Sequence, residues 1–254
     1  MHYERKVREE IAAWERQLFK PPGWLERTSK TIGNRINRMI PAKAQNVITT
    51  TIKSIVRTAL FGAEYTPKRP VQRELNLERS DQEAKNLFSL YQKIAVAEGA
   101  GTGAGGILLN VVDFPALIAI KMKYLFELAH NYGYDTKHFS ERVFILKVFQ
   151  LTFSGPEQRA RLLNSVKNWD CEKELWSSDA EHYKNMDWET FQKEYRDAID
   201  FRKLLQMVPG IGAVAGAWAN YTILEELRQT ASNAYRLRRV TCSHHLQKWG
   251  LPRT

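Results

Sequence analysis

The chain has 254 residues, of which 43% are hydrophobic and 26% charged, and its mean hydropathy is -0.46. That length supports a real hydrophobic core in one domain, and the balance excludes both a disordered tail and a polytopic membrane protein. Lys and Arg total 38 against 28 Asp and Glu, a formal net charge of +10, and such a surplus favours a polyanionic neighbour, either nucleic acid or an anionic membrane face.

The chain opens on a densely charged run, Met1 to Glu10, with no apolar stretch behind it, which does not fit a secretory signal. Cys171 and Cys242 are the only cysteines and show neither paired nor metal-type spacing. A reducing cytoplasm is therefore expected, with any membrane met from its inner face. Val7, Ile11, Trp14 and Leu18 share one face of a first helix, ended by Pro21-Pro22-Gly23. A second run places Leu25, Ile32, Ile36 and Met39-Ile40 on one side. Pro41 opens a third helix striped by Ile48, Ile52, Ile55-Val56 and Ala59-Leu60, with Gly62 as its C′ residue. Residues 64–79 contain two prolines and no clear period, and read as a connector.

Ser80 and Glu83 form a capping-box pattern, followed by Leu87, Leu90-Tyr91 and Ile94 on one face. That helix runs into the glycine-rich stretch from Gly99 to Gly106. Asp113, before Phe114-Pro115, marks the next N-terminus, for a helix through Ala129 closed near Gly133. Further helices are expected over Phe139–Phe153, Pro156–Trp169 and Trp188–Met207, with an exposed polar loop across Asp170–Asn185. A last long helix begins near Gly212 and runs to about Val240. No strand-plus-turn pairs occur, so the expected fold is all-α: a single-domain helical bundle over residues 1–240, then a basic C-terminal tail over 241–254.

Glycines cluster at two places, Gly99 to Gly106 and Gly210 to Gly216. Gly101, Gly103 and Gly106 satisfy G-x-G-x-x-G, but a helix precedes them, and Lys121 and Lys123 stand where the dinucleotide motif needs an acid. No Gly-Lys-Ser/Thr follows, so a phosphate loop fits no better, and no cofactor is inferred. The competing reading is small-xxx-small packing: Gly99/Gly103, Gly101/Gly105 and Gly212/Gly216 lie four apart, making stripes against which another backbone can come close. From Gly99 to Ile120 the only charged residue is Asp113, and from Leu204 to Leu224 there is none. Both stretches reach spanning length, but glycine and alanine supply little transfer energy and Asp113 would cost about 2.5–3.5 kcal/mol at mid-bilayer. Shallow insertion of a helical hairpin and close packing inside a soluble bundle both fit better than a span.

The positive charge is uneven. No acid occurs between Glu26 and Glu64, where Lys30, Arg35, Arg38, Lys43, Lys53 and Arg57 lie, nor after Glu226, where Arg228, Arg236, Arg238 and Arg239 follow. Lys30, Arg35, Arg38, Arg236, Arg238 and Arg239 are read as a basic surface suited to an anionic leaflet, with Trp14, Trp24 and Trp249 at headgroup depth. The plain alternative is a solvated basic face. Nucleic acid ranks third, because no helix-turn-helix turn, zinc spacing or RNP pattern is present.

Catalytic patterns are weak: no G-x-S-x-G and no H-E-x-x-H occurs. The His244-His245 pair near Cys242 lacks further spaced ligands, so no metal site is assigned. Glu98, Asp113, Lys121, Gln206 and Asn220 sit on or beside the apolar segments and must find partners, which suggests a polar network joining the two glycine regions. Asp113 also fits simple helix capping. Glu98 and Asp113 are the candidates for a catalytic acid and base, without positive geometric support, and no small-molecule ligand is inferred.

Several separated motifs, in order, carry a family resemblance. They are Trp14; Ile40-Pro41 with Val47-Ile48-Thr49-Thr50; Phe61-Gly62; Ala97-Glu98-Gly99-Ala100 with Gly103; Asp113-Phe114-Pro115; and the run Met207 to Ala217 with Asn220. On these the chain resembles the EcsC protein family, named for the third product of the bacterial Ecs ABC-transporter operon, from about Tyr3 to Arg239. The resemblance implies a bacterial cytoplasmic protein, associated with the membrane and tied to an ABC exporter, and it supplies no active site to carry over. The leading expectation is a noncatalytic accessory protein docked peripherally on the inner face of the cell membrane. A hydrolase using Glu98 and Asp113, and a soluble interaction module, are the alternatives.

Overall fold

The structure is a computed structural model that describes residues 2–20, 42–102, 114–176 and 213–248. Its helices are α1 (His2–Leu18), α2 (Ala42–Phe61), α3 (Leu77–Thr102), α4 (Phe114–Asn131), α5 (Phe139–Phe153), α6 (Pro156–Lys167), the single turn α7 (Trp169–Glu172), a 3-10 turn (Lys173–Trp176) and α8 (Ala213–Lys248). No β-strand occurs among the described residues, and the bundle is all-α as the periodicity predicts.

α5 is the axial element. It carries two to three apolar residues per turn on every side, and all of Val143 to Leu146 and Val148 to Phe153 is buried. A helix buried this fully has almost no solvent face to offer, and α2, α4, α6, α8 and the 3-10 turn pack around it. α1 buries Val7, Ile11 and Trp14, and α2 buries Ile52, Ile55, Val56, Ala59 and Leu60, as their stripes require. Trp14, at 6% exposure, is therefore a core residue and not a headgroup anchor.

α4 ends as predicted. Gly133 has φ +90°, the Gly133 N–H reaches the His130 carbonyl at 3.1 Å and the Tyr134 N–H reaches the Ala129 carbonyl at 3.0 Å. This is a Schellman closure, and the left-handed residue within it favours glycine. Gly62 is different: its φ is not positive, and it is small because a Cβ there would lie 2.7 Å from the Thr58 carbonyl oxygen.

Four expectations are corrected. α3 begins at Leu77, one turn before the expected Ser80: the Asn76 side-chain oxygen accepts the Arg79 N–H at 2.9 Å, the bond that defines an N-cap, and Ser80 is fully buried. The buried face of α3 is Asp81, Ala84, Leu87 and Tyr91, whereas Leu90 and Ile94 point outward. The stretch from Asp170 is not a loop at its start, since helical turns continue to Trp176 over a completely buried Trp169. α8 passes through Val240 without a break and ends at Lys248, two turns beyond the expected helix end. The expected helices around residues 25–40 and 188–207 lie outside the described residues.

Candidate functional site

α3 and α8 run antiparallel, and α3 and α4 do likewise. Arg236 on α8 meets Asp81 on α3, and Arg228 lies 5.2 Å from the Phe88 ring, so each step up α3 is a step down α8. Tyr132 bonds Asp81 and Tyr91 bonds Glu127, which fixes the same sense for α4. The C-terminal end of α3, the N-terminal end of α4 and the N-terminal end of α8 therefore gather at one pole of the bundle. The register sets Ile94 level with Tyr221, and Gly99 and Gly101 level with Gly216. From mid-α3 towards this pole large apolar side chains are exposed: Leu90, halfway along the helix, at 49%, Ile94 at 37% and Tyr221 at 39%. The exposed cations Lys93 and Lys123 stand at the level of Leu90 and Ile94.

The opposite end of the α3–α4 pair holds a cleft of about 280 Å³, walled by the connector over residues 67–75, the first turns of α3 and the last turn of α4. Arg69, Arg79, Glu83, Glu127 and His130 line it, over the apolar Leu87. His130 is buried: one ring nitrogen lies 3.1 Å from the Arg69 carbonyl and the other 2.9 Å from the Thr136 hydroxyl. A carbonyl only accepts, so the nitrogen facing Arg69 carries the hydrogen and the other accepts from Thr136. Burial lowers the His130 pKa below its ordinary value, against smaller opposing effects of the Arg69 carbonyl and Asp135.

Between the two ends, buried charges tie the helices together. Asp81 accepts from the Tyr132 hydroxyl at 2.6 Å, the Arg236 Nε at 2.8 Å and the Tyr3 hydroxyl. Arg236 also reaches Glu10 at 3.0 Å, so this cluster joins α1, α3 and α8 to the α4 terminus. Arg238, 4% exposed, makes two bonds to Glu141 at 2.6 and 2.7 Å and sits 3.8 Å from the Tyr134 ring and 4.4 Å from the Phe144 ring. Burial works against its charge, yet the Glu141 bond and the surrounding groups outweigh it and raise the Arg238 pKa. Arg239 donates to the Tyr132 and Leu75 carbonyls at 2.8 Å each, and Arg142 to the Leu60 and Gly62 carbonyls at 3.0 and 2.9 Å. Leu60 and Tyr132 stand at the C-terminal ends of α2 and α4, where carbonyls lack intrahelical partners and a cation complements the helix dipole.

These contacts correct the basic-surface reading of the C-terminal arginines. Arg236, Arg238 and Arg239 face inward because each has fixed acceptors far away in the sequence; the exposed cations of the described residues include Lys53 and Arg57 of α2 instead. Lys121 is also buried, and its Nζ lies 3.5 Å from the Leu117 carbonyl. Glu98 and Asn220 lie on α3 and α8, while Gly103, Gly105, Asp113, Gly212, Gln206, Lys30, Arg35 and Arg38 lie outside the described residues. Asp81, Glu141, His130 and Glu127 were not singled out by the sequence reading. A signal existed for two: Asp81 falls on the Ala84–Leu87–Tyr91 stripe, and Glu141 is the lone acid of a largely apolar helix. Among the described residues no group of three His, Cys, Asp or Glu could hold a metal, and no helix is long and apolar enough to cross a membrane.

The fold and its interior define an all-α protein whose helices are fastened by buried arginine–carboxylate and arginine–carbonyl ties. The chain belongs to the EcsC protein family, whose model matches residues 5–240. It is 40% identical over 230 residues to Protein EcsC of Bacillus subtilis (strain 168), covering 91% of this chain and 93% of that protein. It is 28% identical over 255 aligned positions to a second protein of that organism, titled Uncharacterized protein YdbA, covering 91% and 90%. No solved structure matches.

Proposed function

We propose that the protein is a noncatalytic accessory protein that docks peripherally on the anionic cytoplasmic leaflet, next to an ABC-type exporter, through the pole where α3, α4 and α8 converge. The observation that carries this reading is the exposed trio Leu90, Ile94 and Tyr221, which runs from mid-α3 towards that pole. The uncharged sequence from Gly99 to Val112 continues from the end of α3, and that from Leu204 to Leu224 overlaps the start of α8. The exporter as neighbour follows from the family resemblance alone.

Magnitudes favour reversible docking over anchoring. Full burial of a large apolar side chain stabilises by about 1.5–3 kcal/mol, so the exposed portions of three contribute about 3 kcal/mol together. Lys93 and Lys123 add about 1 kcal/mol each at an anionic surface. The sum, about 5 kcal/mol, corresponds to a dissociation constant of about 0.2 mM. The test is flotation with vesicles of phosphatidylcholine alone or mixed with phosphatidylglycerol. The protein should float with the anionic vesicles, be released by high salt, and lose binding in a Leu90→Glu, Ile94→Glu, Tyr221→Glu variant. Equal flotation of that variant, or none by the parent, refutes the reading.

A further inference from the structure

We propose that the cleft between the connector and the α3–α4 pair is a binding site for a small zwitterion, an α-amino acid or dipeptide, whose carboxylate meets Arg69 and Arg79 and whose ammonium meets Glu83 and Glu127. This goes beyond the membrane reading and does not depend on it.

The size fits. A volume of about 280 Å³ lies at the lower edge of ordinary ligand pockets, which selects a molecule of amino-acid or dipeptide dimensions. The charges fit as well. The arginines deeper in the molecule are fastened to carboxylates or carbonyls, whereas the side chains of Arg69, Arg79 and Glu83 make no ion pair or hydrogen bond among the described residues. Among the described residues Glu127 accepts only the Tyr91 hydroxyl, at 3.0 Å. Charges of both signs thus enter one cleft from three elements without neutralising each other, and a ligand bearing both signs can satisfy them together. Bidentate guanidinium–carboxylate pairing is the strong form of such a contact. Leu75 and Leu87, with Pro67 and Pro70, give an apolar side chain something to lie against.

The walls are fixed before any ligand arrives. The connector is pinned to α4 by the Gln72 N–H to the His130 carbonyl at 2.9 Å, by His130 to the Arg69 carbonyl, and to α8 by Arg239 to the Leu75 carbonyl. Preorganisation of this kind removes part of the ordering cost of binding. The cleft and the docking residues share α3 at different levels: Glu83 is about 10 Å from Leu90 and about 17 Å from Ile94 along the helix, at 1.5 Å per residue.

Calorimetry and thermal-shift measurements on the full chain test this, using the common L-amino acids, alanyl dipeptides, and their N-acetyl and C-amide forms. At least one zwitterion should bind, and each blocked form should bind about tenfold more weakly, as should the Arg79→Ala and Glu127→Gln variants. Arg79 is exposed, so Arg79→Ala should keep the parent circular dichroism spectrum and vesicle flotation; Glu83→Gln, also exposed, serves as a second probe of the ammonium contact. No binding at millimolar concentration, equal binding of the blocked forms, or parental affinity in the variants overturns the proposal. Flotation results stand apart from all of these outcomes.

Discussion

Replacing Arg238 by Met, or Glu141 by Gln, should destabilise the fold by about 3–5 kcal/mol, because each change strands a buried polar partner. The pair is out of water on both sides, at 3% and 9% side-chain exposure, and both guanidinium nitrogens that face Glu141 are within 2.7 Å of it. Arg238 also loses its stacking between Tyr134 and Phe144 in the Met variant, worth about 1–2 kcal/mol in a desolvated setting. In Glu141→Gln the arginine keeps Asp170 at 3.8 Å as a distant second partner, so this variant should fall at the lower end of the range. The double variant Arg238→Met, Glu141→Leu removes both charges and should be less destabilised than either single change, since no buried group is then left unpaired. Urea denaturation of the parent, Arg238→Met, a Glu141→Leu single variant and the double, analysed as a double-mutant cycle, measures this, with Glu141→Gln read beside it. Single variants within about 0.5 kcal/mol of the parent would place Arg238 in solvent and refute the reasoning, because surface substitutions have effects of that size. A double variant equal to the sum of the singles would show that the two side chains do not act as a unit.

Three further outcomes follow from the same geometry. His130 is held neutral by burial with its pKa below 6.5, so its contribution is complete above that value and is lost as pH falls below it; His130→Gln should flatten this acid limb between pH 5 and 7, in stability measured against pH. Asn76→Ala should cost about 1 kcal/mol by removing the α3 cap, while Ser80→Ala should be neutral or stabilising, because the Ser80 hydroxyl is buried without a partner among the described residues. The reverse order in denaturation midpoints would restore Ser80 as the cap. Gly133→Ala should cost about 1–2 kcal/mol through its left-handed backbone, and a melting temperature unchanged from the parent would rule that strain out.

Local punctuation made much of the fold readable. α5 spans the residues its period predicts, and α4 closes where Gly133 permits, since these limits depend on neighbours within one or two turns. The capping-box pattern at Ser80 failed for a non-local reason: Asp81 is required inside, facing residues 155 positions away, and the helix must begin a turn earlier to deliver it there. The same distance hid the arginines. A run of cations with no acid nearby reads as a basic surface, yet Arg238 finds Glu141 at a separation of 97 residues. Charge patterning along a chain reports neighbours in sequence, and these partners meet only through tertiary packing. The cleft was invisible for a related reason, because its lining comes from three elements that carry no common motif.

The ties from α1 to α8 impose an order on synthesis. Tyr3, Arg8 and Glu10 of the first helix find their partners at Asp81, Val240 and Arg236, and two of these lie more than 220 residues downstream. At 5–20 residues per second, α1 leaves the ribosome roughly 10–45 s before the C-terminal half of α8 exists to receive it. During that interval Val7, Ile11 and Trp14 have no finished core to enter. The nascent chain thus presents an amphipathic helix that a chaperone or a membrane surface can hold, and release of the last helix is the event that seals the bundle.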